Sequence, residues 1–290
     1  MAHRSWTIAI ASASLAAFLS VLGLTTMADA TSRRCDGGEG KGRKILRVIG
    51  LTSDNQLVCF NERKPGRALE LGSISGLTSG DTALVGIDFR VQDGRLWGVG
   101  NAGGLYTIDV DTAVATPAGA LTIALEGTSF GVDFNPAADR LRIVSDTGQN
   151  LRHNVNAGGV TLEDGDLTYA PPAAATGIAG AAYTNNDLVP ATATSLFDLD
   201  ASLDQIAIQA PPNNGTLGAT GKLGVDGSAP VGFDVYSVLD EGVVVDNRGF
   251  ASFSAFGASA FYRIDLLTGA STFVGTFDSP VSDVAVPLDQ

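Results

Sequence analysis

Histidine and cysteine are nearly missing from this chain of 290 residues, which holds two of each. His3 falls in the first thirty residues, so His153 stands alone in the rest, and a site built from several histidines for zinc or iron is excluded. A Ser-His-Asp triad would have to use His153, and no Gly-x-Ser-x-Gly elbow accompanies it; on an outer strand beside Arg152 it reads as a surface or hydrogen-bonding residue. Two cysteines are too few for a fold that depends on disulfides. Either Cys35 and Cys59 pair, tying the N-terminal tail to the first sheet, or Cys59 is a small buried apolar residue. Basic residues are scarce as well: 18 Lys and Arg face 31 Asp and Glu, a formal charge of −13. Such a surface repels phosphate backbones and anionic lipids, which excludes nucleic acid and membrane-surface partners. No phosphate-cradling glycine loop precedes a helix, because the pairs at 103–104 and 158–159 sit at hairpin turns.

Long apolar runs are confined to the start. A weakly basic opening at His3 and Arg4 precedes an apolar, small-residue stretch from Ile8 to Leu24, and Ala28-Asp29-Ala30 supplies a small-x-small cleavage site. The stretch approaches the ~20 residues of a membrane span, but Ser12, Ser14 and Ser20 interrupt it. The pattern is that of an export signal over residues 1–30, and it predicts a secreted protein, extracellular or periplasmic, with no membrane insertion after cleavage. Cys35 follows Ser32-Arg33-Arg34 and lacks the surroundings of a lipid-modified cysteine. Residues 31–44, glycine-rich with basic clusters at Arg33-Arg34 and from Lys41, read as a flexible, solvated tail. Residues 45–290 are then a single domain.

What is present is a repeat. Gly86-Ile87-Asp88-Phe89 returns as Gly131-Val132-Asp133-Phe134, Gly180-Ala181-Ala182-Tyr183 and Gly232-Phe233-Asp234-Val235, and in degraded form as Asp283-Val284-Ala285-Val286. The intervals of 45, 49, 52 and 51 residues match one four-stranded propeller blade. In the first full repeat, Gly86–Arg90, Arg95–Val99, Leu105–Asp109 and Ala115–Gly119 read as strands separated by Gly, Asn and Asp turns. The second repeat follows with Val132–Asn135, Arg140–Ser145, Asn150–Val155 and Gly159–Leu162, and the fourth with Val231–Tyr236, Gly242–Asp246, Ala260–Asp265 and Ser271–Thr276. The third, from Ile178 to Leu223, is the least regular and carries the tight-turn run Pro211-Pro212-Asn213-Asn214-Gly215.

The ends complete the count. Arg47–Thr52, Gln56–Asn61 and Ala68–Ile74 lack a first strand, and Val281–Pro287 is a first strand with nothing after it. The predicted fold is therefore all-β, a five-bladed β-propeller closed by N-terminal strands pairing with the C-terminal strand. A β-sandwich of the same short strands is the competing architecture.

The run from Asn135 to Arg152, Asn-Pro-Ala-Ala-Asp-Arg-Leu-Arg-Ile-Val-Ser-Asp-Thr-Gly-Gln-Asn-Leu-Arg, together with Pro211-Pro212-Asn213-Asn214-Gly215-Thr216-Leu217, resembles a group of exported bacterial proteins known as a domain of unknown function. The resemblance spans about Lys44 to Pro287. It implies a propeller-like fold and export, and brings no activity or catalytic residue with it.

Two sets of residues stand out for chemistry. Asp88, Asp133 and Asp234 occupy one position on three inner strands, so a closed ring brings them to the central channel. They would either bind a hard cation such as Ca2+ or accept backbone N–H groups from their own turn or the next blade. Ala182 and Ala285 stand at that position in the remaining blades. The Asp-rich turns at 109–111, 164–166 and 198–200 lack the full ligand set of a calcium loop. In the second repeat, Arg142 stands where Trp97 does, and Arg152 where Tyr106 and Tyr262 do. Buried guanidinium groups require carboxylates, for which Asp133, Asp139 and Asp146 are the nearest in sequence. These arginines either brace two blades or, with Gln149 and Asn150, form a cleft for an anionic or sugar-like ligand. The leading expectation is a non-enzymatic module that binds a small molecule, glycan or protein, with a purely structural cell-surface role beside it. The alternative is a carbohydrate hydrolase or lyase using carboxylates at the channel mouth.

Overall fold

Each repeat folds into an antiparallel meander, and five meanders form a ring, a five-bladed β-propeller. The computed structural model describes residues 43–189 and 191–288, with Met1, Cys35 and Glu39–Gly40. The expected signal segment, residues 1–30, lies outside the described residues apart from Met1. Blade 1 comprises Leu84–Phe89, Leu96–Gly100, Gly104–Ile108 and Ala115–Ala120. Blade 2 comprises Phe130–Asn135, Arg140–Ser145, Asn150–His153 and Thr161–Glu163. Blade 3 holds Ile178–Tyr183, Leu196–Asp200, Gln205–Gln209 and Thr216–Lys222. Two further short strands, Thr168–Tyr169 and Ala173–Ala174, extend its outer edge, the first of them parallel to Thr216–Lys222. Blade 4 comprises Ser228–Asp240, Val243–Ala255, Ala258–Ile264 and Ser271–Thr276.

Blade 5 is made from both ends of the chain. Val281–Ala285 pairs antiparallel with Arg47–Thr52, Val281 opposite Thr52 and Ala285 opposite Ile49, and Gln56–Asn61 and Lys64–Ser73 follow. The pairing leaves no open inner edge in the ring. Cys35 is buried and disulfide-bonded to Cys59 on this blade, with a Cα–Cα distance of 5.7 Å. Within the stretch expected to be a tail, Glu39–Gly40 also pairs with Arg43–Lys44.

The inner strands pack on one another around the axis, so they are buried on both faces, whereas an outer strand such as Ala115–Ala120 is exposed beyond its first residue. Close approach explains the repeated glycine. A Cβ on Gly131 would lie 2.4 Å from the backbone nitrogen of Ala181 on the next blade.

The apolar core is divided among the five seams between blades. Phe253 stacks on Tyr262 at 4.1 Å within the cluster joining blades 3 and 4, and Phe60 meets Phe261 edge-on at 5.0 Å between blades 5 and 4. The seam between blades 2 and 3 differs: its apolar cluster contains no Phe or Trp, and Val144 is its one member from the strands of blade 2.

Two strand assignments from sequence need correction. The second strand of blade 4 continues from Val243 to Ala255 instead of ending at Asp246, because the hairpin Ser228–Asp240/Val243–Ala255 extends well past the usual blade length. Arg152 does not stand at the place of Tyr106 and Tyr262. The register pairs Arg142 with Arg152, Trp97 with Thr107 and Phe250 with Arg263, so the counterparts of Arg152 are Thr107 and Arg263. A slip of one residue exchanges the faces of a strand, but direct opposition of Arg142 and Arg152 still places both on one face.

Candidate functional site

The channel aspartates are built into the seams. Asp88 accepts the N–H of Phe89 at 2.6 Å and that of Phe134, on blade 2, at 2.7 Å. Asp133 accepts from Tyr183 of blade 3 at 3.0 Å, and Asp234 accepts from Val286, past the first strand of blade 5, at 2.6 Å. A fourth acid joins them: Asp283 accepts from Val284 at 2.9 Å and from Ile87 of blade 1 at 2.7 Å. Each carboxylate thus staples its blade to the next, and Ala182 leaves the seam between blades 3 and 4 without such a staple. There Asn186 donates instead to the carbonyl of Val235 at 2.9 Å, and Asn185 and Asn247 join the two blades.

One oxygen from each of Asp88, Asp133 and Asp234 lies within 4.8 Å of the others, a set that could hold a hard cation. Burial pushes Asp88, Asp133 and Asp283 well above the usual carboxylate range, and neighbouring aspartates add to the shift. Burial alone carries Asp234 up to about 6. Asp283 could have been found from sequence, since it is the acid in the degraded fifth motif. It occupies the motif's glycine position, two residues ahead of the expected acid.

The second region is the groove between blades 2 and 3. Arg140 and Arg142 alternate along one strand, and Arg152 lies opposite Arg142, so all three share one face. The Arg142 side chain is 3% exposed. Its Nη1 donates to Asp164 and to Asn150, each at 2.7 Å, Nη2 donates to Asn213 at 2.9 Å, and Nε donates to the Tyr183 hydroxyl at 3.3 Å. The other oxygen of Asp164 accepts from Arg152 Nε at 2.9 Å. One carboxylate therefore holds both guanidinium groups.

Local turns bring these parts together. Pro212–Asn214 is a 3-10 turn closed by Gly215 at φ 66°, and a Cβ on Gly215 would sit 2.2 Å from the carbonyl oxygen of Gly165. Glycine there lets the turn of blade 3 lie on the 164–166 segment that carries Asp164. Asn150 joins the two, donating to the carbonyls of Gly165 at 2.9 Å and Pro212 at 3.1 Å.

Beside this network opens a cavity of about 280 Å³, lined by Asn135, Ala138, Arg140, Arg142, Arg152, Tyr183, Pro211, Pro212 and Asn213. No carboxylate of the described residues is in its wall. A smaller cavity of about 170 Å³ opens at the starts of the inner strands, where Leu84, Phe130, Val231 and Ser282 converge.

Three of the four residues expected in a cleft are thus assembled: Arg142, Arg152 and Asn150. Gln149 is not among them. It alternates to the opposite face, where its amide accepts from Glu126 N–H and donates to the carbonyl of Ala124, both at 2.9 Å. The partner carboxylate also differs from expectation. Asp139 binds Arg90 at 2.6 Å, Asp146 binds Thr128, and Asp133 faces the channel, while Asp164 serves the arginines. Sequence carried Asp164 only as part of an Asp-Gly-Asp turn, and adjacency to Arg142 comes from the ladder. His153 is buried and shares a 3.0 Å hydrogen bond with Thr161.

Fold and site together define a five-bladed propeller with a stapled acidic channel and one polar, cationic seam. Residues 56–285 match the family described as Domain of unknown function (DUF4394), and the chain belongs to that family. No curated protein matches it significantly. Among solved structures, a protein from Lactobacillus plantarum is 16% identical with a TM-score of 0.37, covering 80% of this chain and 67% of that one. A protein of unknown function from Bacteroides thetaiotaomicron VPI-5482 is 11% identical with a TM-score of 0.41, covering 89% and 71%. An auxiliary nutrient binding protein from Bacteroides ovatus ATCC 8483 is 10% identical with a TM-score of 0.38, covering 75% and 56%. At these TM-scores the likeness carries no argument about function.

Proposed function

We propose that this propeller is a non-enzymatic binding module whose groove between blades 2 and 3 takes a small anionic ligand. One observation carries the reading. Arg152 commits only Nε to Asp164, its two terminal nitrogens have no hydrogen-bond partner among the described residues, and its side chain lines a cavity with no carboxylate from those residues in its wall. Guanidinium forks held in that way are suited to carboxylate or phosphate oxygens. The carbohydrate-hydrolase reading draws less support. It needs two acids flanking a substrate-sized gap, whereas the channel carboxylates are buried and accept backbone N–H groups. Export is part of the proposal, supported by the N-terminal sequence pattern and by the Cys35–Cys59 disulfide, a bond that persists in oxidising compartments.

A thermal-shift screen of organic acids, neutral sugars and divalent cations tests the reading. Anions raise the melting temperature through ligand linkage, and the rise disappears in Arg152→Gln. A response to sugars or cations alone, or one that survives Arg152→Gln, refutes it.

A further inference from the structure

Resting on the anion-binding reading, the site can be specified by counting which of its polar atoms are already engaged. Asn135 Oδ1 accepts the N–H groups of Ala137 and Ala138, so its amide nitrogen is what remains for a ligand. Asn213 Oδ1 accepts from Arg142, which leaves the amide nitrogen there too. The Tyr183 oxygen accepts from Arg142 Nε, freeing its O–H to donate. Arg140 uses Nη1 on the carbonyls of Ala138 and Asp139, keeping Nε and Nη2. Arg152 keeps both terminal nitrogens, whereas Arg142 has all three nitrogens engaged and acts as a brace. Among the described residues, every side-chain group in the cavity wall that makes no hydrogen bond is a donor.

The charge count agrees. Three guanidinium groups line the cavity, and one carboxylate, Asp164, is shared by two of them. The Asp139 carboxylate is held by Arg90 and Asn156. Asp198, fully buried within electrostatic reach of Arg142, is pushed well above the usual carboxylate range by desolvation, while Arg142 pulls it the other way. The three guanidinium groups around this cavity of about 280 Å³ thus outnumber the one carboxylate, Asp164, that pairs directly with them.

The donors fall into two sets. Asn135 and Arg140 face each other across the first hairpin of blade 2. Arg152, Asn213 and the Tyr183 hydroxyl cluster around Arg142 on the side toward blade 3. The apolar surfaces of Ala138, Pro211 and Pro212 complete the wall. We infer that the ligand is a compact organic dicarboxylate, one carboxylate taken by Arg152 with Asn213 and Tyr183 and the other by Arg140 with Asn135, its short carbon chain lying on the prolines.

Titration calorimetry of the purified chain with succinate, butyrate and methyl phosphate tests this. Succinate and butyrate have the same carbon count and differ by one carboxylate. Succinate binds at least tenfold more tightly than butyrate, and Arg140→Gln reduces that ratio to within about twofold. Arg152→Gln weakens both ligands. Arg140→Lys, which retains the charge, recovers part of the ratio, and unchanged melting temperatures show that each variant is folded. Equal binding of succinate and butyrate overturns the dicarboxylate assignment and leaves the anion reading standing. Tighter binding of methyl phosphate than of succinate overturns it in favour of a single tetrahedral anion. If none of the three binds, the anion reading itself fails.

Discussion

Blade 2 faces blade 1 on one side and blade 3 on the other, and the two seams are built from equivalent positions with opposite chemistry. Trp97 and Arg142 each pair across the ladder with the channel aspartate of their own blade, Asp88 and Asp133. In the first seam, Trp97 meets Phe134 edge-on at 5.8 Å, and Arg90 covers its ring at 5.8 Å while gripping Asp139 through Nε and Nη2. That seam is filled. In the second, the indole is replaced by a guanidinium, and among the described residues the apolar cluster of the seam holds no aromatic ring from blade 2. Asp164, Asn150, Asn213 and Tyr183 converge on the charge, and a cavity remains beside them. The polar seam therefore depends on one ion where the apolar seam depends on many contacts.

This dependence can be broken directly. Arg142→Met removes the guanidinium and leaves the nearly buried Asp164 with Arg152 as its one remaining cation. Loss of one partner from a buried, hydrogen-bonded pair costs about 3–5 kcal/mol, a fall of roughly 10 °C in Tm for a domain of this size. Adding Asp164→Leu should recover a good part of the loss, since the stranded charge goes with it. Arg90→Gln is the matching cut in the other seam. Arg90 and Asp139 are 11% and 23% exposed at the side chain, and Trp97 and Phe134 stay packed, so the expected loss is about 1–2 kcal/mol. Urea unfolding of the two variants side by side measures the contrast. Equal losses would mean that the seams do not differ as described.

The features legible in the sequence were those written as periodicity. The Gly-apolar-Asp-aromatic phrase gave the blade count, the closure by Val281 and Thr52, and the places of Asp88, Asp133 and Asp234, because a repeated backbone environment demands repeated residue types. Arg142 was recognisable as a departure from that phrase. What could not be read were partners contributed by turns. Asp164 follows the last strand of blade 2 and Asn213 sits on a turn of blade 3, and neither has a counterpart at a fixed offset from Arg142. Gln149 departs from the expected cleft for a related reason: closeness in sequence to Asn150 hides the alternation that sends adjacent side chains to opposite faces. Asp283 broke the pattern by two residues, yet its carboxylate still reaches the channel.

Both seams also carry a channel staple, and pH separates these staples from the ion pairs. Asp88, Asp133, Asp234 and Asp283 bind protons more tightly in the folded chain than in the unfolded one. Their contribution is fully present below the unfolded carboxylate value, about 3.9. It is lost as pH rises through the folded values, of which Asp234 lies at about 6. Asp139 and Asp146, held below the usual range, act in the reverse sense and only at lower pH, and His153, lowered by burial, opposes the trend as a single group. Stability should therefore decline between pH 5 and pH 7, and Asp234→Asn should flatten part of that slope. Unfolding midpoints in a chelator-containing buffer give the slope, and a midpoint that rises steadily over this range contradicts the account. Repeating the series with Ca2+ tests the cation expectation for Asp88, Asp133 and Asp234, which an unchanged midpoint would end.

The smallest effect on stability is expected at Arg152, and there the two readings of the polar seam diverge. Its side chain is 34% exposed, and it holds Asp164 through one nitrogen while Arg142 holds the other oxygen. A partly solvated ion pair of this kind contributes on the order of 0–1 kcal/mol, so Arg152→Gln should unfold within about 2 °C of the parent. If Arg152 were chiefly a brace between blades, its loss would track that of Arg142 and lower the midpoint by a similar amount. If it is a ligand group held in place by Asp164, the midpoint barely moves and anion binding is lost. Measured together, the unfolding midpoint and the anion titration of Arg152→Gln separate bracing from recognition, because the first property belongs to Arg142 and the second to the nitrogens that Arg152 leaves unpaired.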